Sequence, residues 1–291
     1  SASIGLPFNL VSVFIFARLA RNKTNMGFFG ILQSLIDIPL LLLQLFVFRA
    51  SPRFFTISPI NQDIFQCKLF AFIRRFGLHI SSWTAVLSTF DRFTFVIYGH
   101  ENRFKFMKNK LALSGLILII FCIIGILNIP NLLFYLINGT CSANNSVIIS
   151  SDIISILLRT YIPFLLKILF NLFMIRKLFK NKRLTLRQSA LSRKEHQFTM
   201  TVITYDLFFL IFNFPISVYY IMFDINLYSG AFRGNPEFAA PYSLFGTLTI
   251  NVSYTVQTLS FLMYIGFNKL FRKELFKILG ISRLFRSQVS F

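Results

Sequence analysis

Side chains able to do chemistry are few in this chain, and those that matter stand where charge is least welcome. Asp37, Arg74, Arg75, Asp91, Arg92, Arg159, Lys167 and Asp206 all fall within long apolar runs. An ionised group in hydrocarbon costs several kcal/mol unless it is paired or hydrated, so such residues mark function by default. The densest set lies in CKLFAFIRRFGLHISSWTAVLSTFDRFTFVIY, from Cys67 to Tyr98, with a thiol at one end and Asp91-Arg92 near the other. These types and spacings suit ion pairing, ligand capture and switching. They do not suit covalent catalysis. There is no Gly-rich phosphate loop, no His or Cys set at metal spacing and no nucleophile beside a base, and His79, His100 and His196 are scattered. No enzyme is expected.

The elements that must position these residues are membrane helices. Hydrophobic residues make up 55% of the 291, with 39 Phe, and charged residues only 14%, where soluble proteins carry roughly 25%. The runs are too long and too uniform for the alternating strands, about ten residues each, of an outer-membrane barrel. Seven spans are expected, at about 1–19, 26–48, 67–98, 111–136, 151–179, 198–223 and 241–267, each near the ~20 apolar residues a crossing helix needs. Together they form one domain, 1–267, an all-α membrane bundle. Asn268 to Gly280 then places Leu270, Phe271, Leu275, Ile278 and Leu279 near one face, with Lys and Arg on the other. That pattern suits an amphipathic eighth helix in the membrane interface, followed by a cytosolic tail, 281–291. Pro130, Pro163 and Pro215 fall within the fourth, fifth and sixth spans, where proline kinks a helix and supplies a hinge.

The formal charge is +20, and its placement argues against nucleic acid as the reason. Most Lys and Arg fall in four clusters, Arg18 to Lys23, Arg103 to Lys110, Arg176 to Lys194 and Lys269 to Arg286, after the first, third, fifth and seventh spans. The loops between hold Arg49, Arg53 and Arg233. By the positive-inside rule the clusters are cytosolic and the start of the chain extracellular. The same clusters attract anionic membrane lipid, or else dock a specific partner. Cys67 and Cys141 fall at extracellular, oxidising ends, and Cys122 inside the fourth span. The chain opens without Met and almost directly on an apolar run, and no signal peptide is readable there.

Seven spans with Asp91-Arg92-Phe93 at the inner end of the third resemble the rhodopsin-like (class A) G-protein-coupled receptors, over essentially the whole chain. Cys67 and Arg92 have the spacing of the family's third-helix cysteine and DRY arginine. Asn9 matches the asparagine of its first helix, Asp37 the aspartate of its second, and Ser81 the serine that joins that aspartate. Pro130, Pro163 and Pro215 match the prolines of helices four, five and six, and Phe209 precedes Pro215 as in FxxxWxP. Ser260-Phe261-Leu262-Met263-Tyr264 stands for NPxxY, and Phe271-Arg272 follows at the eighth-helix spacing.

The resemblance implies a disulfide between Cys67 and Cys141, stapling the third helix to the second extracellular loop. It implies that Asp91 and Glu195 hold Arg92 at rest and that release presents Arg92 to a G protein; in the other reading, Asp91-Arg92 only snorkel. Asn171, in place of the fifth-helix tyrosine, and Tyr264 belong to the same switch. Asp37, with Ser81, Asn9 and Ser260, reads either as a sodium site or as a sodium-free polar network, because Val256 and Ser260 replace the asparagines that complete the family's site. Asn138-Gly-Thr and Asn144-Asn-Ser are glycosylation sequons beside Cys141. Two departures bear on switching: Asn213 replaces the toggle tryptophan before Pro215, and Ile120 the fourth-helix tryptophan. The SFxxY form is similar to that of peptide receptors, among them invertebrate neuropeptide receptors of the FMRFamide type.

Ligand chemistry follows from charge. Amine receptors carry an aspartate where this chain has Arg74, and no Lys precedes Lys269 in the seventh span to hold retinal. Arg74, Arg75 and Arg159, with Asn213, read as a cationic pocket for a carboxylate or acidic peptide; the other reading is that these arginines snorkel or pair internally. Lys167 and Asp206, each inward of its proline, read as an intramembrane pair joining the fifth and sixth helices. The expected function is a plasma-membrane receptor that binds an extracellular ligand, a peptide on this reading, and activates a heterotrimeric G protein. The alternatives are a seven-span transporter or channel and a receptor-fold protein that binds without signalling. No inverted repeat of the transporter kind is visible.

Overall fold

Helices that are apolar nearly all round need lipid on one side and one another on the other. The computed structural model describes residues 2–21, 25–50, 59–98, 109–137, 140–181, 190–229 and 236–280. Among them the chain forms α1 (Ala2–Arg21), α2 (Asn25–Leu42, running on as a π-helix over Leu43–Ala50), α3 (Ile64–Tyr98) and α4 (Lys110–Leu127). These are followed by α5 (Asn145–Ser155, a π-helical turn Ile156–Tyr161, then Ile162–Asn181), α6 (Ala190–Ser229), α7 (Pro236–Phe267) and the short α8 (Lys269–Ile278). The fold is a seven-transmembrane helix bundle. α1 packs on α2 and α7, α2 on α3, and α6 on α7, while α3 touches α2, α4, α5 and α6 and so forms the axis.

Among the described residues, five helices carry stretches long and apolar enough to cross a membrane by length and composition alone: Ser3–Arg21, Gly27–Val47, Leu111–Leu133, Asn145–Leu178 and Thr199–Asn226. The remaining two long helices, α3 and α7, are more polar because each turns a polar face into the bundle. α3 buries Ser81, Ser82, Thr84, Thr89, Asp91 and Arg92, and α7 buries Thr249, Ser253, Gln257 and Ser260. α4 is the opposite case. Leu111, Leu118, Ile119, Ile123 and Ile126 are exposed along it, a lipid-facing surface.

Lipid supplies no hydrophobic drive between helices, so close approach at small residues carries association. A Cβ on Gly27 would lie 2.3 Å from the Ala20 backbone nitrogen, and one on Gly77 would lie 2.6 Å from Leu40 Cδ2. The first contact is with backbone and cannot yield cheaply, which fixes glycine where α2 meets α1.

α4 is shorter than the expected span to residue 136. Asn128 closes it, with its backbone N–H on the carbonyls of Ile124 and Gly125 and its Nδ2 on Ile124 O. Pro130 is therefore not a hinge inside the fourth helix. It opens the separate 3-10 turn Ile129–Leu133, where a missing N–H costs nothing. Strands Tyr135–Ile137 and Thr140–Ser142 follow as an antiparallel hairpin in which Leu136 opposes Cys141. The polar loop expected over 137–150 is thus largely ordered, and α5 starts at Asn145, six residues before the expected span. α6 and α7 also extend beyond their expected ends.

α8 is fixed at both ends of its first turn. The Asn268 side chain accepts from the N–H groups of Leu270 and Phe271 at 3.0 Å each, an N-cap. Arg272 Nη1 donates back to the carbonyls of Ile265 and Gly266 at the end of α7. The apolar face drops Phe271 and Leu275 among Ile15, Phe16, Leu19 and Phe261.

Candidate functional site

Four polar groups meet α3, one at each end and two between them. At the first end, Cys67, fully buried, is disulfide-bonded to Cys141 of the hairpin. The Cys141 N–H also donates to Asn61 Oδ1 at 2.9 Å, which ties the hairpin to the turn before α3. Two turns deeper, Arg75 forms an ion pair with Asp152 of α5 at 2.8 Å and donates to Asn131 Oδ1 at 2.8 Å. Its guanidinium lies over the Phe134 ring. Ser151 also donates to Asn131 Oδ1, and Asn131 Nδ2 donates to the Asn128 carbonyl. Asn128 in turn reaches His79 Nδ1 at 2.9 Å, so a continuous polar seam joins α3, the end of α4 and α5. Arg75 is committed to this seam.

Arg74 and Arg159 are placed differently. Arg159 lies on the π-helical turn of α5 and is 4% exposed. It reaches Tyr220 of α6, while Arg74 reaches Tyr254 of α7. Asn213, grouped with these arginines from the sequence, is turned away from them. Its Nδ2 donates to Phe209 O of its own helix at 2.9 Å.

Midway, Lys167 of α5 and Asp206 of α6 form an ion pair at 3.2 Å, with side chains 0% and 1% exposed. Asp206 Oδ2 also accepts from Thr89 of α3 at 2.8 Å and from Asn171 Nδ2 of α5 at 3.0 Å. The Lys167 ammonium sits 3.5 Å from the Phe209 ring centroid, a cation–π contact in a fully buried site. One carboxylate thus holds three helices. Asn171 belongs to this knot.

A second buried carboxylate, Asp37 of α2, accepts from Ser81 Oγ at 2.8 Å and from Gln33 Nε2 at 3.1 Å, and Gln33 Nε2 also donates to Ser81 Oγ. Asn9 and Ser260, expected to join it, do not. Asn9 Nδ2 donates to the Gly5 and Gln257 carbonyls, and Ser260 Oγ also donates to Gln257 O. A sodium ion needs convergent oxygens, but here an amide NH₂ and a hydroxyl proton face the carboxylate and Asn9 and Ser260 point elsewhere. The residues as arranged form a hydrogen-bonded network around Asp37. A cavity of about 20 Å³ separates this network from the Lys167–Asp206 knot, lined by Gln33, Thr84, Ser88, Thr89, Asp206 and Tyr264 among others.

At the far end of α3, Asp91 and Arg92 are 4% and 5% exposed. Arg92 donates to Asp91 Oδ2 through Nε at 3.0 Å and Nη2 at 2.5 Å, and Asn25 Nδ2 of α2 donates to Asp91 Oδ1 at 2.7 Å. The guanidinium lies over the Phe95 ring. Both groups are buried within the bundle. Glu195 lies on α6, with its side chain outside the described residues. Tyr264 packs its ring against Phe16, Phe271 and Tyr205, joining α1, α6, α7 and α8. Pro163 stands one residue into α5 after its π-helical turn, and Pro215 lies inside α6. Asn144 accepts from the Tyr135 hydroxyl at 2.6 Å and precedes α5, while Asn138 lies outside the described residues.

Several partners were not foreseen from the sequence. Gln33 stands one helical turn before Asp37, a spacing that was open to reading. Thr89, Asn25, Asn128 and Asn131 meet their partners only through tertiary packing and carry no local signal.

A family model described as 7 transmembrane receptor (rhodopsin family) matches residues 8–259. No curated protein matches the chain.

Proposed function

The chain belongs to the rhodopsin family of seven-transmembrane receptors, and from that premise we propose that it is a plasma-membrane receptor for an extracellular peptide that activates a heterotrimeric G protein. Its amino-terminal end faces outward and its basic clusters face the cytosol and anionic lipid, as the positive-inside rule requires. The disulfide end of the bundle is then the ligand side, and the Asp91 end the G-protein side. No covalent chemistry is involved.

What carries this reading is the state of Arg92. It is buried, folded onto Asp91 and held to α2 through Asn25, an arrangement that hides the one group a G protein would engage. The Lys167–Asp206 knot supports the same reading. It ties α5 and α6 to α3, so an outward swing of α6 must break a desolvated ion pair. Signalling would couple ligand contacts at the outer end to release of these two restraints.

The test is nucleotide exchange on a purified G protein, screened with acidic and amidated peptides. At least one peptide is expected to stimulate exchange, and Arg92→Ala to abolish the response. Stimulation that survives Arg92→Ala would sink the assignment. One observation favours a second reading, a receptor-fold protein that binds without signalling: Asn213, at the toggle position, is bonded to its own helix. Peptide binding without exchange in the wild-type chain would select it.

A further inference from the structure

The three arginines at the outer end of the bundle are not equivalent. Arg75 is matched by Asp152, with a second hydrogen bond to Asn131. Asp224 of α6 is partly exposed and lies within electrostatic reach of Asp152 and Arg75, and it forms no ion pair with Arg159 among the described residues. That leaves Arg159 without a carboxylate among the described residues. It is 4% exposed, and its Nη2 has no hydrogen-bond partner among them. A guanidinium in that setting forfeits its hydration and gains only a tyrosine hydroxyl in return, a costly arrangement unless an anion completes it.

The neighbourhood is built for such an anion. Arg74 comes from α3 and Arg159 from α5, close enough to repel each other, with Tyr220 of α6 beside Arg159 and Tyr254 of α7 beside Arg74; Asp152, bonded to Arg75, also acts on Arg74, which leaves Arg159 as the less compensated of the two. Two positive groups held together by four helices are stabilised by negative charge placed between them. A guanidinium presents parallel N–H donors that match the two oxygens of a carboxylate. Arg159 lies on the π-helical turn and is buried there, and such turns recur where a helix serves a binding site.

We propose that Arg159 and Arg74, with the hydroxyls of Tyr220 and Tyr254, form a carboxylate-binding site between α3, α5, α6 and α7. Arg75 is excluded from it as a structural partner of Asp152. This deepens the receptor reading and rests on it only for the consequence: the activating ligand carries a free carboxylate, either as the acid terminus of a peptide or as a small organic acid. An amidated peptide terminus would lack the group the site demands.

The experiment is thermal melting of the purified chain in detergent with hexanoate, hexanamide and hexylamine, and with one short peptide as free acid and as amide. Hexanoate or the free-acid peptide is expected to raise the melting temperature, and the amide and amine to leave it unchanged. The more effective of the two acids identifies the source. Arg159→Met should weaken the response roughly ten- to a hundredfold and raise the melting temperature of the unliganded protein, because it removes an uncompensated buried charge. Equal shifts from acid and amide, or an Arg159→Met chain that melts lower than the parent, would overturn the proposal. Glu237 of α7, whose side chain lies outside the described residues, gives a further arm. Glu237→Gln should change neither the melting temperature nor the hexanoate response; a lower melting temperature with a stronger hexanoate response would make Glu237 the resident partner and overturn the proposal. Acid-selective stabilisation without nucleotide exchange would keep the site and sink the receptor reading, whereas exchange stimulated equally by amidated and free-acid peptides would do the reverse.

Discussion

Lys167 is fully buried with its charge committed to one carboxylate, which makes it an exacting residue in the bundle. Removing its partner leaves a charge buried at 0% exposure, so Asp206→Leu is expected to destabilise the chain by about 3–5 kcal/mol. Lys167→Met together with Asp206→Leu should recover most of that loss while raising basal nucleotide exchange, since a tie between α5 and α6 is gone. Melting curves and exchange rates of the two singles and the double test this; strict additivity of the singles would show that the pair is not coupled. At Asp37 the sensitive neighbour is Gln33. Gln33→Leu removes a donor from a fully buried carboxylate and should cost about 1–3 kcal/mol in a melting assay. Lys167–Asp206 and Asp37–Ser81 were legible because unpaired charge in an apolar run demands a partner and helical register narrows the choice. Asn25 on Asp91 was not legible, since 66 residues of chain separate them and only the packing of α2 on α3 brings them together.

Among the elements, α8 and the hairpin teach different lessons. α8 was visible as an amphipathic segment, and its boundary rests on one side chain. Asn268→Ala should lose about 1 kcal/mol of local helix stability, read as faster amide exchange over Leu270 to Leu275 with the seven long helices unchanged. By composition the hairpin reads as polar loop, although Asn138-Gly139 between YLI and TCS is the strongest short-range hairpin signal a sequence offers. Composition outweighed turn chemistry there. The end of α4 was misplaced for a related reason. The apolar run continues to Leu136, and hydropathy is blind to Asn128 bonding back to Ile124. Breaking the Cys67–Cys141 link with a double Ser replacement should cost about 2–5 kcal/mol, measurable as a lower melting temperature.

For the molecule as a whole, orientation is the property most easily tested. If the disulfide end is outside, a glycan on the Cys141 loop should be removable by an N-glycosidase from intact cells. The Tyr135 hydroxyl engages the Asn144 side chain, so Asn138 is the expected acceptor, and Asn138→Gln alone should abolish the mobility shift. A shift lost only with Asn144→Gln would contradict that choice. The bundle was legible at this scale from apolar length and basic clusters. The order of burial was less so, because α3 looks least like a membrane helix and proves the most enclosed.

The π-helical turn at Ile156–Tyr161 has a consequence for how chains of this kind are compared. An extra residue in one turn acts as a phase slip of about 100°, so positions before and after it no longer lie on one helical wheel. Deleting Leu157 would let the segment close as ordinary α-helix and swing Asp152 off Arg75, with every charged residue still present in the sequence. A one-residue gap at this point in a relative would therefore rewrite the outer face of α5 as thoroughly as several substitutions, and residue-by-residue matching outward from Pro163 would not register the change.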